Sequence, residues 1–448
     1  MLPPTSECDT IAAIATPPGK GGIAIVKLSG PEAVPLATGI FSSPVDPAAH
    51  ERRMVYGRVT DGDNVIDEAL VCVMRGPHSY TGEDVVEIQV HGGFASAGSI
   101  LSLLTEHGAR QASPGEFTRR AFLNGRIDIA QAEGVLEIVD ADNREHLRQA
   151  EQLLAGAFSS HIRTIIDTLD EVLVLLEATI DFPGETSDTA DRKHVLALLE
   201  ETAKTLAVMI DSHRSAERIR HGVTIVLAGH VNVGKSCLFN TLLGTRRAIV
   251  HDTPGTTRDW IESHIVLDDV PVNLVDTAGI RESQNEIERA GIGETTRLID
   301  QADIVLFLHD DIDTLPAETL IRGEERIILH IVSKSDLLGD KTVPDGVLAV
   351  SSVRGTGISY LRDTLAGFAR GLIRTGNAAH PVLVGRHHRE LALARENISN
   401  AIGSAGSWSE EILSYEVRSA LGHLEAILGK NLDIDVLDEI FSRFCIGK

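Results

Sequence analysis

The sequence predicts a multidomain chain of α/β and α+β class, with an N-terminal α+β domain, a helical domain, and a doubly wound α/β domain inserted into the helical one. Three observations predict it. Short apolar, β-prone runs separated by Gly/Pro turns fill residues 9–119. Apolar residues recur at spacings of three and four from Leu153 to Leu176. Between residues 222 and 372, strand-like and helix-like stretches alternate around GHVNVGKS at 229–236. The expected domains are 1–120, 121–220, 221–373 and 374–448, the last ending in the tail CIGK. Insertion of one domain into another is the economical account, because domain termini often lie close together.

With 448 residues and 43% hydrophobic positions, the chain can bury several cores. No apolar stretch approaches the ~20 residues of a membrane span, and no basic segment followed by an apolar one opens the chain. A cytoplasmic protein that makes no use of a membrane is expected. Cys8, Cys72, Cys237 and Cys445 are scattered without a CxxC pair, so neither a disulfide framework nor a zinc site is indicated. The formal charge of −24 opposes indiscriminate adhesion to nucleic acid, and any RNA contact must use a local patch or a basic partner.

In the N-terminal part, strands are expected at 10–16, 22–28, 71–74 and 85–90, with PPGKGG and His91-Gly92-Gly93 as turns. PPGKGG reads as a turn more readily than as a phosphate grip. From Ala121 the pattern becomes helical. Leu153, Leu154, Ala157, Phe158, Ile162, Ile165, Ile166, Leu169, Val172, Leu173 and Leu176 mark one long helix that stops at Asp181-Phe182-Pro183-Gly184. Further helices are expected at 192–220, 386–400, 410–428 and 434–444.

Within the inserted domain, strands are expected at 223–228, 262–267, 270–275, 304–308, 327–332 and 348–350, which implies a mostly parallel sheet with its site at the strand C-terminal ends. The strand at 223–228, the glycine-rich turn and the helix after it form a phosphate-binding loop, in which backbone N–H groups surround a phosphate. Gly229 and Gly234 admit close approach, Lys235 reaches the β- and γ-phosphates, and the Ser236 hydroxyl is placed for Mg²⁺. Asp276-Thr277-Ala278-Gly279 supplies a carboxylate for Mg²⁺ through water and an N–H for the γ-phosphate. Gly255-Thr256-Thr257-Arg258-Asp259 supplies hydroxyls, with Thr257 as second Mg²⁺ ligand. Their order favours a GTPase over a kinase.

Ser333-Lys334-Ser335-Asp336 stands where GTPases carry N-K-x-D. Asp336 accepts from guanine N1–H and the 2-amino group, whereas Ser333 in place of Asn is expected to shorten or lose a contact near N7 and a brace to the phosphate loop. Ser351-Ser352-Val353 occupies the place of the S-A-K loop behind the base. Ile280 follows Gly279 where small GTPases place a water-orienting glutamine, so catalysis needs another source. The Asn232 carboxamide suits a monovalent cation, and equally suits a loop-stabilising role.

DTIAAIATPPGKGGIAIVKLSG, SYTGEDVVEIQVHGG, SPGEFTRRAFLNGRIDIAQAE, GHVNVGKS, GTTRD, DTAGIRE and the terminal FCIGK together resemble the MnmE (TrmE) family of tRNA-modification GTPases, within the TrmE-Era-EngA-like P-loop superfamily. The resemblance covers the whole chain. It implies an N-terminal folate-binding and dimerising domain, a helical domain and an inserted Ras-like G domain. It further implies a homodimer that joins the FAD-dependent partner MnmG in a heterotetramer or larger complex. Together they install an aminomethyl or carboxymethylaminomethyl group at C5 of the tRNA wobble uridine, drawing on 5-formyl- or 5,10-methylene-tetrahydrofolate.

Nucleotide (GTP or GDP) contacts are implied for Asn232, Val233, Gly234, Lys235, Ser236, Cys237, His251, Asp252, Thr253, Pro254, Gly255, Thr256, Thr257, Asp276, Thr277, Ala278, Gly279, Ser333, Lys334, Asp336, Ser351, Ser352 and Val353. The resemblance assigns K⁺ to Asn232, His251, Thr253 and Thr256, and Mg²⁺ to Ser236 and Thr257. Glu288 matches the acid that orients the attacking water; without the family it reads as a solvated helix-start carboxylate. Lys27, Glu87, Arg126 and Lys448 match folate-contacting positions, with Lys and Arg exchanged at Lys27 and Arg126 relative to the usual residues. Cys445 stands in the tail as a catalytic or an inert thiol. A ribosome-assembly GTPase would share the G motifs but carry a basic RNA-binding module, which neither the −24 charge nor a GxxG-bearing KH pattern supports, and a regulatory GTP-switched scaffold would lack the folate-like N-terminus and the FCIGK tail.

Overall fold

The computed structural model describes residues 9–181, 189–244, 261–268, 270–277, 297–323, 326–339, 341–344, 346–374, 382, 384–404 and 409–448. They divide into two compact units, one comprising 1–140, 150–202 and 393–448, the other 141–149 and 203–392. No described helix is long and apolar enough to cross a membrane.

The first unit is built on a seven-stranded sheet of order β3-β4-β5-β6-β2-β1-β7, with β1 Ile11–Ile14, β2 Ile23–Ser29, β3 Phe41–Ser42, β4 Val55–Asp61, β5 Asn64–Met74, β6 Val85–His91 and β7 Arg110–Gln111. All pairings are antiparallel except β1 with β7. Period-two alternation sends Ala24, Val26 and Leu28, with Val71, Val73, Val86 and Ile88, into one core beneath helices α1 (Ala33–Gly39) and α2 (Phe94–Glu106). The intervening residues face the other way. There Ile11, Ala13 and Ala112 meet Phe117 of α3 (Glu116–Leu123). The hairpin β4–β5 extends well beyond the strand expected at 71–74 and turns at Gly62 (φ 57°), its outer half mixing Val59 and Ile66, which join the core, with Arg58, Asp61, Asn64 and Glu68.

Helix α4 (Ile129–Val139) starts with a reciprocal capping box between Asp128 and Gln131. The expected single helix through Leu153 and Leu176 is instead two, α5 (Arg144–Leu154) and α6 (Ala157–Asp181). Gly156, at φ 83°, breaks it by donating its N–H to the Leu153 carbonyl. Phe158, Ile162, Ile165, Ile166, Leu169, Val172, Leu173 and Leu176 are buried, as the spacing requires. α7 covers Thr189–His221, and the last three helices of the chain are α10 (Gly385–Ser404), α11 (Glu410–Leu428) and α12 (Ile434–Ser442).

The second unit carries a sheet of order β12-β13-β11-β8-β10-β9, with β14 paired to β13. Its strands are β8 Val223–Gly229, β9 Ile261–Leu267, β10 Val270–Asp276, β11 Ile304–His309, β12 Leu320–Arg322, β13 Ile327–Val332 and β14 Leu348–Ala349. β10, β8, β11, β13 and β14 are parallel to their neighbours in that series, and among the described strands β9 and β12 run antiparallel to theirs. α8 (Lys235–Leu243) and α9 (Ile358–Arg374) cover one face, while Leu298 and Ile299 pack on Val226, Val275 and Val305 on the other. Helices on both faces leave the carboxyl ends of β8, β10, β11 and β13 as the open edge.

Candidate functional site

β8 delivers Gly229 to a turn that side chains cannot follow. Its φ is 140°, and a Cβ there would lie 2.6 Å from the Leu308 carbonyl oxygen. Asn232 (φ 59°) and Gly234 (φ 104°) also take left-handed backbone, so Asn232 meets a structural demand that asparagine satisfies better than most residues. Its side chain is nonetheless exposed. The Lys235 ammonium, at the first position of α8, donates to the carbonyls of Gly229 (2.8 Å) and His230 (2.9 Å). Burial lowers the Lys235 pKa, and the nearby Asp276 carboxylate opposes that shift.

Asp276 closes β10 opposite Leu227 and is fully buried. Thr277 Oγ1 donates to the Leu227 carbonyl at 2.7 Å, tying the D-x-x-G loop to β8. Ser236 and Cys237 are exposed at the start of α8. The Asp276 carboxylate at the end of β10 and the Ser236 hydroxyl at the start of α8, the helix that follows the neighbouring strand β8, are oxygen donors of the kind a hard divalent cation takes. His251, Asp252, Thr253, Pro254, Gly255, Thr256, Thr257, Ala278, Gly279, Ile280 and Glu288 lie outside the described residues. Of the expected K⁺ ligands, only Asn232 is described.

At the base end, Ser333 is 4% exposed and its hydroxyl lies 2.5 Å from the Val233 carbonyl and 3.0 Å from that of His309. The brace to the phosphate loop that the shorter side chain was expected to weaken is therefore made. The loop carbonyl itself comes within reach of the hydroxyl. Lys334, in left-handed backbone at φ 50°, donates from Nζ to the Asn232 carbonyl at 2.5 Å. Asp336 accepts from the Ser351 hydroxyl at 2.6 Å, and this hydrogen bond is the main cause of its lowered pKa. Ser351 Oγ also accepts from Arg354 N–H, while Ser352 is half-buried and Val353 fully outward.

The first unit holds a second cluster. Register places Ala13, Lys27, Glu87 and Cys72 in one row across β1, β2, β6 and β5. Lys27 Nζ sits 4.4 Å from the Tyr80 ring centre and 5.1 Å from that of Phe117. Burial lowers the Lys27 pKa, Glu87 opposes this, and the charge of Lys448 adds to the lowering. Three of the four residues expected around folate are thus brought together. Arg126 is exposed beside Gly82, on the loop that carries Tyr80.

The tail that supplies Lys448 is seated rather than loose. A Cβ on the buried Gly447 would meet Ala15 Cα at 2.7 Å and the Ile14 carbonyl at 2.8 Å. Phe441 and Phe444 anchor it by packing with Ile129 and Ala132, leaving Cys445 exposed. The sequence reading missed Tyr80 and Phe117 as neighbours of Lys27 and Cys72 as the neighbour of Glu87; the alternation of β2 and β6 around Lys27 and Glu87 was the available signal. Burial chiefly, and then Glu87, pushes the Cys72 thiol up.

The family described as GTP-binding protein TrmE N-terminus matches residues 10–126, and the MnmE helical domain matches residues 129–445. A tRNA modification GTPase MnmE of Syntrophobacter fumaroxidans is 41% identical to this chain, over 98% of each. Those of Chlamydia caviae and Geotalea uraniireducens are 40% and 38% identical, each covering 98% of this chain and 99% of the relative. With both family matches and full-length relatives at these identities, the chain belongs to the MnmE family of tRNA modification GTPases.

Proposed function

We propose that this chain hydrolyses GTP in the modification of tRNA, and that with the FAD-dependent MnmG it installs the aminomethyl or carboxymethylaminomethyl group at C5 of the wobble uridine. One observation carries the reading beyond a bare GTPase. Gly447, next to the terminal Lys448, is packed on Ile14 and Ala15 at the end of β1, beside the row Ala13–Lys27–Glu87, which joins the two ends of the chain in one cluster. A carboxylate matches the amide-amidine edge of a pterin, and cations match the glutamate tail and carbonyls of the cofactor. The aromatic rings over Lys27 give such a ring system an apolar wall. Tetrahydrofolate would supply the one-carbon unit there, with Lys27, Glu87, Arg126 and Lys448 holding it.

In the second unit, Lys235 exchanges its carbonyl partners for the β- and γ-phosphates, and Asp336, oriented by Ser351, selects guanine. Ser236 and Thr257 would hold Mg²⁺; Asn232, His251, Thr253 and Thr256 would hold K⁺. Bound K⁺ supplies the positive charge that an arginine finger provides elsewhere. Glu288 orients the attacking water, in place of the glutamine that Ile280 replaces. The domain reading of 1–120, 121–220, 221–373 and 374–448, homodimerisation and a cytoplasmic setting belong to the same proposal.

Nucleoside analysis of tRNA from cells lacking this protein tests the whole reading: the C5-modified wobble uridine should disappear and return on complementation. Unchanged nucleosides would refute it. For base choice, ATP should compete poorly with GTP in an equilibrium titration, and equal competition would overturn the guanine assignment.

A further inference from the structure

We propose that Ser333 leaves the nucleotide site blind to N7 of guanine while keeping the phosphate loop braced. The inference rests on the guanine reading above and deepens it. A serine hydroxyl has one hydrogen to donate. Here its oxygen is within hydrogen-bond distance of two carbonyls, those of Val233 at 2.5 Å and His309 at 3.0 Å, and carbonyls only accept. The His309 carbonyl already accepts the Ser333 N–H at 2.7 Å, so the nearer Val233 carbonyl is the one that needs the hydroxyl, in an interior where Ser333 is 4% exposed and an unmet carbonyl is costly. The single hydrogen is committed to the protein.

The carboxamide of an N-K-x-D motif has two N–H donors and can serve the loop and the base at once. A hydroxyl cannot. The backbone donor of the same residue is also engaged: the Ser333 N–H donates to the His309 carbonyl at 2.7 Å, while Lys334 Nζ is turned to the phosphate loop, donating to the Asn232 carbonyl at 2.5 Å. Recognition of the base then falls on Asp336, which reads N1–H and the 2-amino group on the edge away from N7, and is held for that task by Ser351. Guanine is still told from adenine. What is given up is one hydrogen bond of affinity and all sensitivity to the atom at position 7.

The test uses the full chain and 7-deaza-GTP, in which N7 is replaced by C–H while N1–H, the 2-amino group and the phosphates are retained. Wild-type protein should bind GTP and 7-deaza-GTP with dissociation constants within about twofold of each other. Ser333→Asn should acquire a preference for GTP of about threefold to tenfold, the worth of one hydrogen bond. Ser333→Ala, which removes only the brace, should weaken both nucleotides by a similar factor and leave their ratio at the wild-type value. A wild-type preference for GTP over 7-deaza-GTP of about tenfold would overturn the proposal, whatever the variants do. Failure of the underlying reading looks different: ATP would then compete as well as GTP.

Discussion

Glu116 is 3% exposed yet carries a charge, because Arg110 and Arg120 both reach its carboxylate. Asp9 and Glu83 complete the network around Arg120. Burial pushes Glu116 and Asp9 up, but hydrogen bonds from the arginines outweigh it and hold both below their ordinary values of 4.5 and 3.8. A depressed folded-state pKa contributes stability that is fully present above the unfolded value and is lost as pH falls through the folded one. Wild-type stability should therefore decline below about pH 4.5 through these two groups. Arg120→Met should cost about 3–5 kcal/mol at pH 7 by leaving Glu116 under-compensated, and should flatten that acid limb. Urea denaturation across pH reads both, and an unchanged acid limb would count against the network.

Gly229→Ala should abolish GTP binding and destabilise the second unit by about 1–3 kcal/mol, since it adds strain at φ 140° to a clash with the Leu308 carbonyl. At this scale the sequence showed Lys235 and Asp336 by motif. It could not show that a hydroxyl at Ser333 reaches the loop, because that depends on where Val233, a hundred residues away, places its carbonyl.

Among elements, the tail after α12 joins fold to site most directly. Gly447 at φ 93° lies against Ala15, and the Gly115 N–H reaches the Cys445 carbonyl at 3.4 Å. Gly447→Val should lift the tail from the end of β1, and deletion of 445–448 should remove it. Both should sharply reduce folate retention and tRNA modification while leaving GTP hydrolysis near wild type, and Glu87→Ala should weaken folate binding without affecting GTP. Wild-type modification by the truncated protein would make the tail structural. The apolar stripe of α6 was legible because buried residues recur at helical spacing. The break at Gly156 was not, since apolar spacing continues across it from Leu153 to Ala157. Nor was β4, whose alternate residues Val55, Gly57 and Val59 are buried but interrupted by a glycine that accommodates the Phe41 ring.

For the whole molecule, the acidic balance sets a condition on any pairing of two copies. Two chains of formal charge −24 repel, so added salt of any kind favours their approach by screening. A cation held, as proposed, at Asn232, His251, Thr253 and Thr256 would act differently, because a cage of carbonyls and one carboxamide fits K⁺ better than Na⁺ and would place charge beside the β/γ-phosphate. The two effects separate at matched ionic strength. In KCl, GTP turnover should exceed that in equimolar NaCl by at least about tenfold, a modest part of the 10³–10⁵ that an arginine finger contributes. Screening alone predicts equal rates. Glu288→Ala should keep GTP affinity but lower turnover about 10²-fold or more in KCl, as loss of a water-positioning acid requires. Turnover that ignores the cation at matched ionic strength, or a fully active Glu288→Ala, would exclude this source of catalysis and return the question to what replaces the glutamine absent at Ile280.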